Sequence, residues 1–255
     1  MKIRFLGTHN TESKESKLVT FLIDNVLAVE AGGLTSGLTC AEQEKIRAIL
    51  LSHGHYDHIK DLPAFAFGNS SRKTDVFGTR ETLQIFSSHL ADGLIYPEFS
   101  NDNSFIGETV LNLCPVEPHQ AFSINSYQVL PIAMHHTIDA VGFEIANGSK
   151  RIFYTGDTGS GFAGIWKYVS PQLIIADLTL PNRLRDVALK AGHLCPEMLK
   201  DELVEFRQIK EYLPRVIAVH MTPRYEPEIK ENIKVISEEL QLSISLAAEG
   251  DEIIV

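Results

Sequence analysis

The sequence is short of cysteine, of basic residues and of long apolar runs. Its three cysteines, Cys40, Cys114 and Cys195, form no C-x-x-C pair in 255 residues, which excludes a disulfide-built scaffold and a thiolate zinc ribbon. Lys and Arg number 23 against 33 Asp and Glu, a formal net charge of −10. No Lys/Arg-rich arm lies between residues 59 and 134, where an enzyme gripping a large RNA would need phosphate contacts. No stretch approaches the roughly 18 consecutive apolar residues of a membrane span. The opening Met1-Lys2-Ile3-Arg4-Phe5-Leu6 shows neither an apolar h-region nor a small-residue cleavage site, so the expectation is a cytoplasmic protein with no membrane partner. Low-complexity tracts, heptads, tandem repeats and Gly/Ser/Pro linkers are also missing. A chain of this length then reads as one domain over 1–255, or two intimate halves.

What the chain does have is histidine, 10 in all, in an ordinary globular background of 44% hydrophobic and 22% charged residues. Spare imidazoles in an acidic chain point to a small-molecule or metal site. Short apolar runs alternate with longer amphipathic ones, the pattern of an α/β protein. The patterning predicts strands over 3–6, 19–23, 26–30, 48–52, 127–134, 141–146, 151–155, 173–177 and 216–220, and helices over 59–67, 79–90, 196–212 and 227–240. Pro196, Glu197 and Asp201 suit a helix start, and Leu213-Pro214 a helix end. The polar stretch 95–108, with scattered aromatics, reads as a lid or binding loop, or as a surface excursion.

The strongest signal is Ser52-His53-Gly54-His55-Tyr56-Asp57-His58, directly after the apolar run that starts at Ala48. Four metal-competent side chains fall where a strand ends and a helix starts, so they converge on one loop instead of spreading over two faces. Mixed His and carboxylate donors suit zinc, iron or manganese, whereas calcium wants oxygen alone.

This H-x-H-x-D-H after a strand resembles the signature of the metallo-β-lactamase superfamily. Further motifs follow in the family's order: His136 ahead of Gly142-Phe143, Asp157 in Thr155-Gly156-Asp157, and His220 closing Val216-Ile217-Ala218-Val219. The resemblance implies an α/β four-layer αβ/βα sandwich. It implies two divalent transition-metal ions, zinc first, with iron or manganese as alternatives. One would be held by His53, His55 and His136, the other by Asp57, His58 and His220, with Asp157 and a hydroxide bridging them. Asp57 thereby counts among the catalytic residues as well as the ligands. Two dications lower the pKa of a shared water and draw charge from a phosphate oxygen under attack. Of the neighbours His135 and His136, only one can face a shared site from a strand, and the spacing to Gly142 selects His136.

One fold of this kind hosts several reactions, and the C-terminal third narrows them. Ala191-Gly192-His193-Leu194-Cys195-Pro196, 27 residues ahead of the last ligand, resembles the G-H-L-x-P segment of the class of cyclic-nucleotide phosphodiesterases that includes fungal and bacterial low-affinity enzymes. Leu178-Thr179-Leu180-Pro181-Asn182, Leu94-Ile95-Tyr96-Pro97-Glu98 and Ala31-Gly32-Gly33-Leu34 also look like that class. The region is similar to tRNase Z too, through His193 and His220-Met221-Thr222-Pro223-Arg224-Tyr225. In both families the upstream histidine implies His193 as proton donor to the leaving oxygen, a task an imidazole performs near pH 7.

Two residues depart from the pattern: Glu30 stands where the superfamily usually has aspartate, and Cys195 where threonine is usual. Arg183, Arg185 and Lys190 suffice for one phosphate but are thin for a folded RNA. The reading is therefore a phosphodiester hydrolase using a metal-bridging hydroxide on a small substrate such as a 3′,5′-cyclic nucleotide. The alternatives are a tRNase Z-like RNA 3′-processing endonuclease and a thioesterase or lactonase on the same fold. A diiron redox enzyme is disfavoured because all three histidines of the first motif are kept; a non-catalytic metal sensor is disfavoured by the complete ligand set. The resemblance also allows a homodimer.

Overall fold

The computed structural model describes residues 1–69, 72–100 and 109–255. In chain order its strands and helices are β1 (Lys2–Gly7), β2 (Thr20–Ile23), β3 (Leu27–Val29), α1 (Cys40–Gln43), β4 (Ala48–Leu50), α2 (Tyr56–Ile59), α3 (Leu62–Gly68), β5 (Thr74–Gly78), α4 (Arg80–His89), β6 (Leu111–Pro115), β7 (Phe122–Ile124), β8 (Tyr127–Ala133), β9 (Val141–Asn147), β10 (Lys150–Tyr154), β11 (Leu173–Asp177), α5 (Arg185–Ala191), α6 (Pro196–Lys210), β12 (Arg215–Val219), α7 (Glu226–Leu240), β13 (Ile244–Leu246) and β14 (Glu252–Ile254). They form two compact units. The first comprises Met1–Thr8, Glu12–Glu117 and Ala248–Ile254; the second comprises His9–Thr11, Pro118–Ala247 and Val255.

The first unit holds a seven-stranded mixed sheet in the order β14-β1-β2-β3-β4-β5-β6. Strands β14 to β3 pair antiparallel and β3 to β6 parallel. Asp24 and Asn25, both left-handed, close the β2–β3 hairpin, as its tight turn requires. Strand β4 is buried throughout and reads as an unbroken apolar run, the mark of a strand covered on both faces. Its core gathers Ile49, Leu51, Ile59, Leu62, Phe65 and Phe86 among others.

The second unit mirrors that plan with the order β13-β12-β11-β10-β9-β8-β7. Its antiparallel half runs β7 to β10 and its parallel half β10 to β13. Helix α6 buries Met198, Leu199, Glu202, Leu203 and Phe206, and α7 buries Ile229, Ile233, Ile236 and Leu240. These are the three- and four-residue steps of an amphipathic helix. Trp166 is the pivot of this core, edge-on to Phe162 and Phe206 with centroids 5.0 Å from each.

The predicted helix over 59–67 is instead two short helices, α2 and α3. Pro63 favours a first turn over a helix interior, and the Asp61 amide donates to the Ala31 carbonyl at 2.8 Å instead of continuing the ladder of α2, although the backbone between the helices stays right-handed. Helix α6 stops two residues short of the predicted end because Glu211 turns left-handed at φ 65°. Strands β5, β6, β7, β13 and β14 and helices α1 and α5 escape the sequence patterning; all are short, and β5 alternates buried with half-buried residues. Of the predicted loop 95–108, residues 101–108 lie outside the described residues; Leu94 and Ile95 are exposed, whereas Phe99 is buried. No helix among the described residues is long and apolar enough to cross a membrane.

Candidate metal and catalytic centre

In the first unit the donors gather at the carboxyl end of β4. His53 lies three residues beyond the strand, with Nδ1 2.9 Å from Ser52 Oγ and Nε2 3.0 Å from His55 Nδ1. Two nitrogens on one tetrahedral zinc ion stand about 3.3 Å apart, given bonds of about 2.0–2.1 Å, so the His53–His55 spacing suits a shared cation. His53 and His58 are fully buried, with ring centroids 4.1 Å apart. Asp57, in the first turn of α2, has Oδ2 3.6 Å from His58 Nε2.

Glu30 supports this cluster from the end of β3. Its buried carboxylate accepts the Ser52 amide at 3.3 and 3.4 Å and stands 3.4 Å from His58 Nδ1. The longer side chain therefore still reaches the backbone and imidazole that a positioning carboxylate must hold. It does so from a left-handed backbone, φ 64°, a conformation that costs a non-glycine residue free energy. The adjacent Ala31 amide donates to the His58 carbonyl at 2.8 Å. Gly32 then passes so close to α2 that a Cβ would lie 1.9 Å from the Asp57 carbonyl oxygen. Glycine is needed there for proximity, and this accounts for the early Ala-Gly-Gly run.

In the second unit four strand ends contribute. His136, after β8, has Nδ1 2.9 Å from the Gly192 carbonyl oxygen. Burial holds its imidazole below the ordinary range, partly offset by that hydrogen bond and by Asp157; this favours the neutral ring that a metal ligand must present. Its neighbour His135 is exposed and turned to the Ser160 carbonyl, 3.0 Å away; both histidines lie beyond the end of β8, so loop geometry and not strand alternation separates them. Asp157, beyond β10, places Oδ2 3.2 Å from His220 Nε2, again a separation two ligands of one cation can share. His220 directly follows β12 with φ 65°. The loop after Asp157 is fixed by Asp177, which accepts the Thr158 amide at 3.2 Å, and by Glu202, which accepts the Gly161 and Phe162 amides at 2.6 and 2.9 Å.

His193 lies between His136 and His220, with ring centroids 5.1 and 5.2 Å away, nearly parallel to the latter. Its Nδ1 is 2.9 Å from Asp177 Oδ2. Burial alone would depress this imidazole; the charge and hydrogen bond of Asp177, with Asp157 behind, raise it above its usual value instead. Asp177, fully buried, is pulled the other way: desolvation opposes its ionisation, yet His193 and His220 hold its carboxyl far below the usual range. Asp157, Asp177, His193 and His220 each bring one donor atom within 4.8 Å of the others.

The motif reading passes over Asp177, and it names Thr179 in a motif without giving it a role. The sign of Asp177 was an aspartate closing the apolar strand β11. Two of the cations expected to meet a phosphate are committed within the second unit. Arg183 pairs with Glu228 at 3.0 Å and lies over the Tyr225 ring, and Arg185 pairs with Glu197 at 3.1 Å.

Known proteins resemble this chain in sequence and fold. The model of the beta-lactamase superfamily domain covers residues 20–221. The chain belongs to the metallo-β-lactamase superfamily. It is 29% identical over 177 residues to the anti-Pycsar protein Apyc1 of Bacillus phage BSP38, across 62% of this chain and 68% of that protein. It is 25% identical over 244 residues to 3′,5′-cyclic-nucleotide phosphodiesterase 1 of Saccharomyces cerevisiae, across 78% of this chain and 65% of that enzyme. The chain thus spans about two thirds of the length of these relatives. Among solved structures, unliganded yeast PDE1 superposes with a TM-score of 0.84 at 18% identity, covering 100% of this chain and 99% of that one. The short form of human tRNase Z gives 0.74 at 18% identity, with the same coverage. At such identity the likeness shows the fold alone: α/β, two mixed sheets with their helices. Members of this superfamily are metallohydrolases, and the clustered His and Asp donors fit divalent metal ions.

Proposed function

We propose that the chain is a dinuclear, metal-dependent phosphodiester hydrolase acting on a small substrate such as a 3′,5′-cyclic nucleotide. The observation that carries the reading is the Asp177–His193 pair, 2.9 Å apart, beside Asp157 and His220. The proposed ligands are His53, His55, Asp57, His58, His136, Asp157 and His220. When bound, divalent ions supply Lewis acidity and an activated water. The chain's own residues supply the rest. Asp177 accepts the His193 Nδ1 proton, which fixes the ring and leaves Nε2 as the end that gives a proton to the leaving oxygen. The upward shift that Asp177 gives this imidazole favours the acid form that the step needs. The curated yeast relative's activity on cyclic nucleotides, and an acidic chain with Arg183 and Arg185 already paired, both favour a small phosphodiester over a large RNA.

The test is a substrate panel of cyclic nucleotides, a precursor tRNA and a thioester, run with metal analysis. The expected result is about two transition-metal ions per chain and hydrolysis of a cyclic nucleotide. Activity that survives chelation, or survives in His55→Ala, overturns the metal-dependent reading. Cleavage of the precursor tRNA alone replaces the small substrate with RNA.

A further inference from the structure

Thr179 occupies a position that the reading above leaves without a task. It is buried, and its hydroxyl oxygen lies 2.5 Å from Asp177 Oδ1, 2.8 Å from His220 Nδ1 and 3.2 Å from His193 Nδ1. Its backbone is tied to the same two segments: its amide donates to the Leu194 carbonyl at 3.2 Å, and its carbonyl accepts the Thr222 amide at 3.1 Å. A hydroxyl has one proton to give and two lone pairs to offer. The ionised Asp177 oxygen, nearer and charged, outcompetes the His220 carbonyl at 3.1 Å for that proton. His193 Nδ1 has a closer, charged acceptor in Asp177 Oδ2. The lone pairs of Thr179 therefore fall to His220 Nδ1–H.

We infer that Thr179 is a positioning residue that sets the tautomer of His220, holding its proton on Nδ1 and leaving the Nε2 lone pair for a metal ion. One carboxylate thereby serves two histidines, His193 directly and His220 through the threonine hydroxyl. Metal-ligating histidines are generally held this way by a carboxylate or carbonyl on the far ring nitrogen, and loss of such a partner costs about 10–100-fold in metal affinity. The inference rests on His220 being a metal ligand.

The test compares Thr179→Val, which keeps the shape and removes the hydroxyl, with Thr179→Ser, which keeps the hydroxyl. Zinc affinity is measured by chelator competition, and the His220 tautomer of metal-free wild-type protein is read from imidazole nitrogen shifts in NMR spectra. The expected results are a proton on Nδ1 in the wild type, affinity about 10–100-fold weaker in Thr179→Val, and near-wild-type affinity in Thr179→Ser. A wild-type proton on Nε2 overturns the inference whether or not Thr179→Val folds, and so does a Thr179→Val protein that binds zinc as tightly as wild type. Wild-type protein that binds no zinc, with His220 still protonated on Nδ1, overturns the metal reading and leaves the hydrogen-bond assignment standing.

Discussion

Asp177 and His193 are 16 positions apart in the chain, and their side chains meet at 2.9 Å in a buried setting. A carboxyl pulled towards ionisation beside an imidazole pulled towards protonation works as a single acid-base device, and the two should fail as one. Asp177→Asn is expected to lower kcat by about 10²–10⁴-fold, with little change in KM. His193→Ala should do the same with metal content intact, and the double variant should cost no more than His193→Ala alone. Steady-state kinetics with metal analysis check this, and multiplicative losses would show that the two act separately.

Gly192 carries two demands at once. Its φ of +69° is left-handed, and a Cβ there would stand 3.0 Å from His136 Nδ1, against the carbonyl that orients that ring. Gly192→Ala is expected to destabilise the protein by about 1–2 kcal/mol and to lower metal occupancy. Thermal unfolding and metal analysis read both effects.

The Arg4–Glu42 pair makes a prediction away from the site. Hydrogen bonds from Arg4 and then Thr39 bring the Glu42 carboxyl from 4.5 down to about 2. A depressed carboxyl stabilises the fold above its unfolded value, and that stability is lost as pH falls from about 4.5 towards about 2. The pair is partly exposed, so the contribution stays under about 1 kcal/mol. NMR titration should place the midpoint near 2, and Arg4→Gln should move it up towards the ordinary value.

Trp166 is fully buried against Phe153, Phe162 and Phe206. Phe206→Ala empties one wall of that cluster and is expected to cost about 3–5 kcal/mol. Denaturant unfolding followed by tryptophan fluorescence measures it directly, since this is the single tryptophan of the chain.

Several motif residues were legible because they stand just past a strand, and a strand end is visible as the point where an apolar run meets polar side chains. His53, Asp157 and His220 all stand at such points. Asp177 stands at one too, but a single aspartate after Leu173-Ile174-Ile175-Ala176 carries no spacing that distinguishes it from a turn. Thr179 is more hidden still, because its role exists only once the Leu194 and Thr222 segments flank it. Strands such as β7 and β14 stayed out of reach for another reason: three residues give no period to count, and pairing partners create them. The split of α2 from α3 goes with the Asp61 amide bonding to the distant Ala31 carbonyl, a tertiary contact with no local sign beyond Pro63.

Of the eight non-glycine residues with positive φ among the described residues, five lie in hairpin turns or helix caps, leaving Glu30, His119 and His220. Glu30 and His220 are buried at strand ends in the clusters described above. The chain thus tolerates an unfavourable backbone at one proposed metal donor, His220, and at Glu30, which supports another. A ligand bound only by the folded form offsets such strain by mass action, so metal supply would govern how much folded protein a cell retains. Under metal starvation the protein would become scarce through turnover of its weakened form as well as slow through loss of its chemistry.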